Sequence, residues 1–184
     1  MKLRILILLG IIVLAGSCKE EVLPKPKAML RLDFPNAQYI DFKSDCDYQI
    51  ALNKIANLKQ KPDCSMAIDY PTIKGSIYIT YKKVDNNITG LLLDAQKLTY
   101  EHVAKADNIA SKEYVNSGEK VYGMFYEVTG NAASQAQFYL TDSINHFVTG
   151  SLYFYSKPNY DSIYPAANYL QKDMLKIMES LRWK

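Results

Sequence analysis

The chain has 184 residues, with 22 Lys or Arg against 19 Asp or Glu, a net charge of +3. Lys2 and Arg4 carry two of the three excess charges, so the rest is near neutral and offers no electrostatic footprint for nucleic acid. A composition 48% hydrophobic and 22% charged excludes long disorder, the length fits one cored domain, and 15 Tyr favour β-structure.

Met1-Lys2-Leu3-Arg4 is basic, Ile5 to Ala15 is an uncharged apolar run of 11 residues, and Gly16-Ser17 are small. That order predicts a signal peptide over residues 1–17. The run is too short for the ~20 apolar residues of a comfortable membrane span. Leu14-Ala15-Gly16-Ser17-Cys18 resembles a bacterial lipobox, with Ala15 where Leu is usual. Cleavage before Cys18 and acylation of its thiol, as by palmitate, are therefore expected. Each buried acyl methylene contributes about 0.8 kcal/mol, so several chains anchor firmly. Residues 18–28 read as a polar, extended tether, with Pro24 and Pro26 set among lysines. Lys19-Glu20-Glu21 resembles a lipoprotein surface-export signal, and equally an ordinary linker start. Residues 29–184 form a single α+β domain on this reading.

With Cys18 lipidated, Cys46 and Cys64 are left as an even pair, which in an oxidising envelope predicts a disulfide. Asp47 to Leu52 and Ser65 to Tyr70 both read as strands opened by a Cys. In a simple hairpin those openings lie roughly 20 Å apart, against the ~7 Å between Cα atoms that a disulfide allows. The 11-residue connection Asn53 to Asp63 is long enough to run back along the strand. Two buried free thiols are the alternative. Two Cys and two distant His lack metal-ligand spacing.

Further along, Ser65 to Tyr70 turns Met66, Ile68 and Tyr70 to one side, and Gly75 to Lys82 does the same with Ile77, Ile79 and Tyr81. Ile88 to Ala106 changes to a helical period. Leu91, Ala95, Leu98 and His102 share its packed face, and Asp94, Lys97, Glu101 and Lys105 the opposite one. His102 reads as a histidine at the edge of that face, with no Cys, Ser or carboxylate as catalytic partner. Val121 to Val128 places Tyr122, Met124, Tyr126 and Val128 on one side. Gln135 to Thr141 (Ala136, Phe138, Leu140) and His146 to Tyr155 (Val148, Leu152, Phe154) complete an antiparallel meander. Its turns fall at Gly130-Asn131 and Asp142 to Asn145, and Gly150 marks a bulge or twist. Asp161 to Leu181 predicts a final helix with a stripe of Ile163, Ala167, Leu170, Met174, Ile177 and Leu181. Lys172, Asp173, Lys176 and Glu179 lie outside it. Asp161 or Ser162 caps this helix and Pro165 fits its first turn. The fold class is thus α+β, an antiparallel sheet with two long amphipathic helices. It is similar to a Mog1/PsbP-type α/β/α sandwich, with a ferredoxin-like or cystatin-like sheet as the alternative.

Several stretches resemble a known family, the gliding-motility lipoprotein GldD of Bacteroidetes. They are Asp94 to Val103, Val121 to Val128, Gly130 to Tyr139 and Gly150 to Tyr155, together with the lipobox, the Pro-Lys-Pro-Lys tether at 24–27 and the Asp-Cys pairs at 45–46 and 63–64. The resemblance implies a cell-envelope lipoprotein needed for gliding, linked to type IX secretion and to the membrane protein GldE as partner. It carries over no catalytic residue. From the residues alone, no nucleophile–base pair, phosphate loop or metal cluster is visible, so no cofactor and no enzyme activity are expected. Three classes compete: a partner-binding assembly component, a small-molecule or glycan binding module with a tyrosine-lined groove, and an envelope enzyme using Glu101-His102. The last is weak because adjacent helical residues point about 100° apart. Asp142-Ser143-Ile144 and Asp161-Ser162-Ile163 also resemble the Bacteroidetes O-glycosylation pattern. Ser143 and Ser162 are therefore candidate glycan sites, while Asp-Ser chemistry equally serves turns and caps.

Overall fold

A computed structural model describes residues 32–43, 45–156 and 159–184. The signal peptide, Cys18 and the tether lie outside these residues. In chain order the elements are β1 (Tyr39–Lys43), β2 (Tyr48–Asn53), β3 (Asn57–Gln60), β4 (Met66–Tyr70), β5 (Gly75–Lys83), α1 (Ile88–Tyr100), β6 (Ala106–Asn116), β7 (Val121–Gly130), β8 (Ser134–Thr141), β9 (His146–Phe154), α2 (Tyr160–Ser180) and β10 (Arg182–Trp183). They form a seven-stranded sheet of order β3-β4-β5-β9-β8-β7-β6 and a three-stranded sheet of order β1-β2-β10. Every pairing is antiparallel.

The main core lies on one face of the large sheet. Period-two side chains Met66, Ile68, Tyr70, Ile77, Ile79, Ala136, Phe138, Leu140, Val148 and Leu152 meet Leu170, Met174, Ile177 and Met178 of α2 there. The small sheet adds Tyr48, Ile50 and Leu52 to the same core. On the other face α1 rests Leu91 and Ala95 on Phe147, with Tyr139 beside them. Helices thus cover both faces, but α1 is a short and shallow cover.

Several expectations change. The first helix stops at Tyr100 rather than reaching Ala106. Beyond it His102 and Val103 bond three residues back, to Thr99 and Tyr100, so the last turn tightens and ends. Leu91, Ala95 and Thr99 are its buried residues, while Leu98 on the sheet side is left 39% exposed. Residues 107–116, unassigned from the sequence, join Ala106 in the longest strand, and β1 and β3 are also new. Alternation in β6 is masked because so little of it is covered. β7 is packed on both faces: Val121 and Phe125 join the main core, opposite the Tyr122, Met124, Tyr126 set. Gly150 marks no bulge. It stands opposite Phe138, and a Cβ there would come within 2.2 Å of that ring. The one irregularity in this pairing lies between Ser134 and Ala136.

α2 begins at Tyr160, so Pro165 sits past its first turn. Neither Asp161 nor Ser162 caps it. Asn159 is the cap position, without a side-chain bond, and Asn131 Oδ1 instead accepts the Tyr160 N–H at 2.9 Å. Asp173, expected outside, is 1% exposed, because the small sheet covers that side of the helix. The segment entering the domain is clasped here. Phe34 stacks on Tyr169 at 5.0 Å, the Tyr169 hydroxyl donates to Pro35 O at 3.0 Å, and Tyr39 donates to Asp173 at 2.6 Å.

Candidate functional site

Cys46 and Cys64 are joined by a disulfide with Cα atoms 5.7 Å apart. The hairpin that stood against this pairing does not exist. β2 belongs to the small sheet and β4 to the large one, so the bond ties two sheets together. The returning chain includes β3, and Cys64 adopts φ 64° in the turn closed by Lys61 and Ser65. The Tyr48 hydroxyl donates to Cys64 O at 2.7 Å. Asp45, Asp47, Asp63 and Lys83 surround the bond in a shallow, open depression.

Next to it, Tyr81 links Asp47 and His146. Its hydroxyl lies 3.2 Å from Asp47 Oδ2 and 2.9 Å from His146 Nδ1. Burial, then Asp47, push the phenol up to about 12, which leaves it a poor base or nucleophile at neutral pH. His146 stacks on Trp183 at 5.0 Å, and Trp183 Nε1 donates to Lys120 O at 3.1 Å. The cluster pins the C-terminal strand to β9 and to the β6–β7 turn. Sequence reasoning passed over His146 because its ring partners, Tyr81 and Trp183, come from two distant segments.

His102 falls outside α1, in the turn before β6. The Gln137 amide lies 2.9 Å from His102 Nε2, so that nitrogen accepts and is unprotonated. Thr99 donates to the same amide's oxygen at 2.7 Å. Burial holds His102 below the usual histidine range, and neighbouring Glu101 only partly opposes this. The pair Glu101-His102 does not converge; His102 ties the connector to β8.

On the α1 side of the sheet, Asp69 Oδ1 accepts from Ser76 at 2.8 Å and from Tyr155 at 2.5 Å, and the Ser76 and Tyr155 hydroxyls also bond each other. The Tyr155 bond, then the Ser76 bond, hold this carboxyl below its usual range. Tyr78 and Tyr153 pack edge to face at 5.9 Å on the same side.

Ser143 and Ser162 are both exposed, at opposite ends of β9. Ser143 sits at φ 67° in the turn organised by Asp142, whose Oδ1 accepts the Ile144, Asn145 and His146 N–H groups at 2.8–3.0 Å. Among the described residues, no three His, Cys, Asp or Glu side chains are grouped so that they could hold a metal ion.

An open apolar surface surrounds α1. Leu93 is 60% exposed and Val103 57%, and Leu98 and Tyr100 are open as well. A groove of about 210 Å³ runs between the helix and the sheet, lined by Leu91, Ala95, Leu98, Phe147 and Thr149 with Lys82 at its rim. Leu98 shares a side with Leu91 and Ala95 as the spacing predicts, but it lines the groove instead of being buried.

These features define an α+β domain whose polar clusters join distant elements and whose open surface is apolar. The chain belongs to the gliding motility lipoprotein GldD family, whose model matches residues 19–183. No curated protein matches the chain significantly. Membership makes it a motility component of a lipoprotein family rather than of an enzyme family, and implies a lipid-anchored place in the cell envelope. No described helix is long and apolar enough to cross a membrane.

Proposed function

We propose that the chain is a non-catalytic assembly component of the gliding and type IX secretion machinery, anchored through acylated Cys18, whose domain binds an envelope membrane protein, with GldE as the partner. The apolar surface around α1 carries this reading: Leu93, Leu98 and Tyr100 stand open beside a groove, on a helix that buries only one narrow face, and Val103 is open in the turn that follows. Patches of this kind mark contact sites. Helices on both faces of the large sheet favour a Mog1/PsbP-type sandwich. Exposure of Ser143 and Ser162 is what an envelope glycosyltransferase would require.

Retrieval of the tagged protein from detergent-solubilised envelope tests the main reading. A stoichiometric membrane protein is expected, and its loss on Leu93→Glu with Leu98→Glu. Recovery of the protein alone overturns it. A second reading, a glycan or small-molecule binding module, draws on Tyr78, Tyr153 and Tyr155 grouped beside Asp69, since sugar rings stack on aromatic faces while carboxylates accept their hydroxyls. A copurifying saccharide lost on Tyr155→Ala would favour it.

A further inference from the structure

The two edges of the large sheet are built differently. β3 closes one edge with four residues and runs into Pro62 and the disulfide turn. β6 forms the other edge with 11 residues, and β7 is the only strand it pairs with among the described residues. Its register with β7 is unbroken from Asn108 to Asn116, and the sole irregularity lies at its start, between Ala106 and Asn108. It contains no Pro. Ser111, Lys112 and Glu113 are exposed, and Val115 is 57% exposed. Proteins ordinarily shorten, bulge, cover or interrupt such an edge, because its outward N–H and C=O groups template another strand. Here one edge is shortened and the other is left long and regular.

We propose that β6 takes up an extended segment of a different protein as an eighth, antiparallel strand of the large sheet. This rests on the reading of the chain as a partner-binding component and names where the partner's backbone attaches. Charge pattern argues against a second copy of this chain. Two copies of an edge strand related by a two-fold axis normal to the sheet pair residues whose numbers sum to an even value, since opposite side chains share a face. Alternation is regular from Asn108 to Asn116, so Lys112 never meets Glu113 in any such register. Centring the pair on Lys112 or on Glu113 sets like charges against each other. A foreign strand has no such restriction. Its fitting sequence places an acid opposite Lys112 and, one residue earlier in its own chain, a base opposite Glu113. Apolar side chains would lie opposite Val115 and Ile109, which share the α1 side of the sheet with Glu113.

The test is photocrosslinking of the full-length protein in its native host, with p-benzoylphenylalanine placed singly at Ala110, Ser111, Glu113 and Val115, and at Leu93 and Tyr100 on α1. Crosslinks from β6 to one partner protein are expected, with the contacted residue moving back along the partner as the probe moves forward along β6. The paired exchange Lys112→Glu with Glu113→Lys should lower the Val115 crosslink at least tenfold while leaving the thermal unfolding midpoint unchanged. Crosslinks to β6 of another copy, crosslinks without register, or crosslinks from α1 alone each overturn the proposal, the last leaving partner binding intact. Silence at both surfaces, with the protein recovered alone from solubilised envelope, removes both readings.

Discussion

Asp173 shows how a single side chain can hold several segments. Buried in α2, it accepts from Tyr39 at 2.6 Å and from the Asn53 amide at 2.9 Å, and burial first, then Asp173, holds the Tyr70 phenol far above its usual range. Asp173→Ala takes a partner from the buried Asn53 and Tyr70 and from the half-buried Tyr39, and should cost about 3 kcal/mol in urea unfolding. Gly150→Ala presses a methyl group into the Phe138 ring and should cost about 1–3 kcal/mol by the same measurement. His102 gives a pH signature. Its folded pKa lies below the ordinary 6.5, so the folded state binds fewer protons than the unfolded one. Stability is therefore full above that value, falls as the pH drops through it, and levels off below the folded pKa. His102→Gln should flatten this part of a stability–pH curve.

At the scale of elements, the disulfide and the two helices differ in what they hold. The Cys46–Cys64 bond spans 18 residues and joins the small sheet to the large one, so Cys46→Ser with Cys64→Ser should lower stability by about 3 kcal/mol in equilibrium unfolding. α1 rests on a small cluster of its own, whereas α2 is buried against two sheets. Amides of α1 should then exchange with deuterium well before those of α2, and equal protection would contradict the shallow docking. The same contrast explains what was legible in the sequence. β4, β5, β8 and β9 each bury one face in the main core, so their period of two was plain. α2 showed its stripe for the same reason, yet its second buried side, with Asp173, was invisible because the covering sheet comes from residues more than a hundred positions earlier. β6 left no pattern because an edge strand buries little, and helical spacing overran the end of α1 into the Glu101–Lys105 turn. The open α1 surface and the His146 cluster were hidden likewise: exposure and long-range contact leave no mark in local periodicity.

Across the whole molecule, both ends of the described chain are fastened to the same small sheet. Arg182 pairs with Gln49 and forms an ion pair with Glu119 at 3.0 Å, while Tyr39 to Lys43 pair with the opposite edge of β2. Phe34→Ala should loosen the entry alone: limited proteolysis is expected to cut near Pro35 sooner, with the unfolding midpoint little changed, and an unaltered cleavage rate would show that the ring contact holds nothing. That entry also decides how the domain carries tension. A pull arriving along the chain from before Leu32 meets Phe34 and Pro35 against Tyr169, and then Tyr39 against Asp173, before it reaches the ladder between β1 and β2. Force is thus handed sideways to the long helix, as a strain-relief collar hands a tug on a cable to the casing. The strand at the mouth of the domain is spared from being unzipped one hydrogen bond at a time.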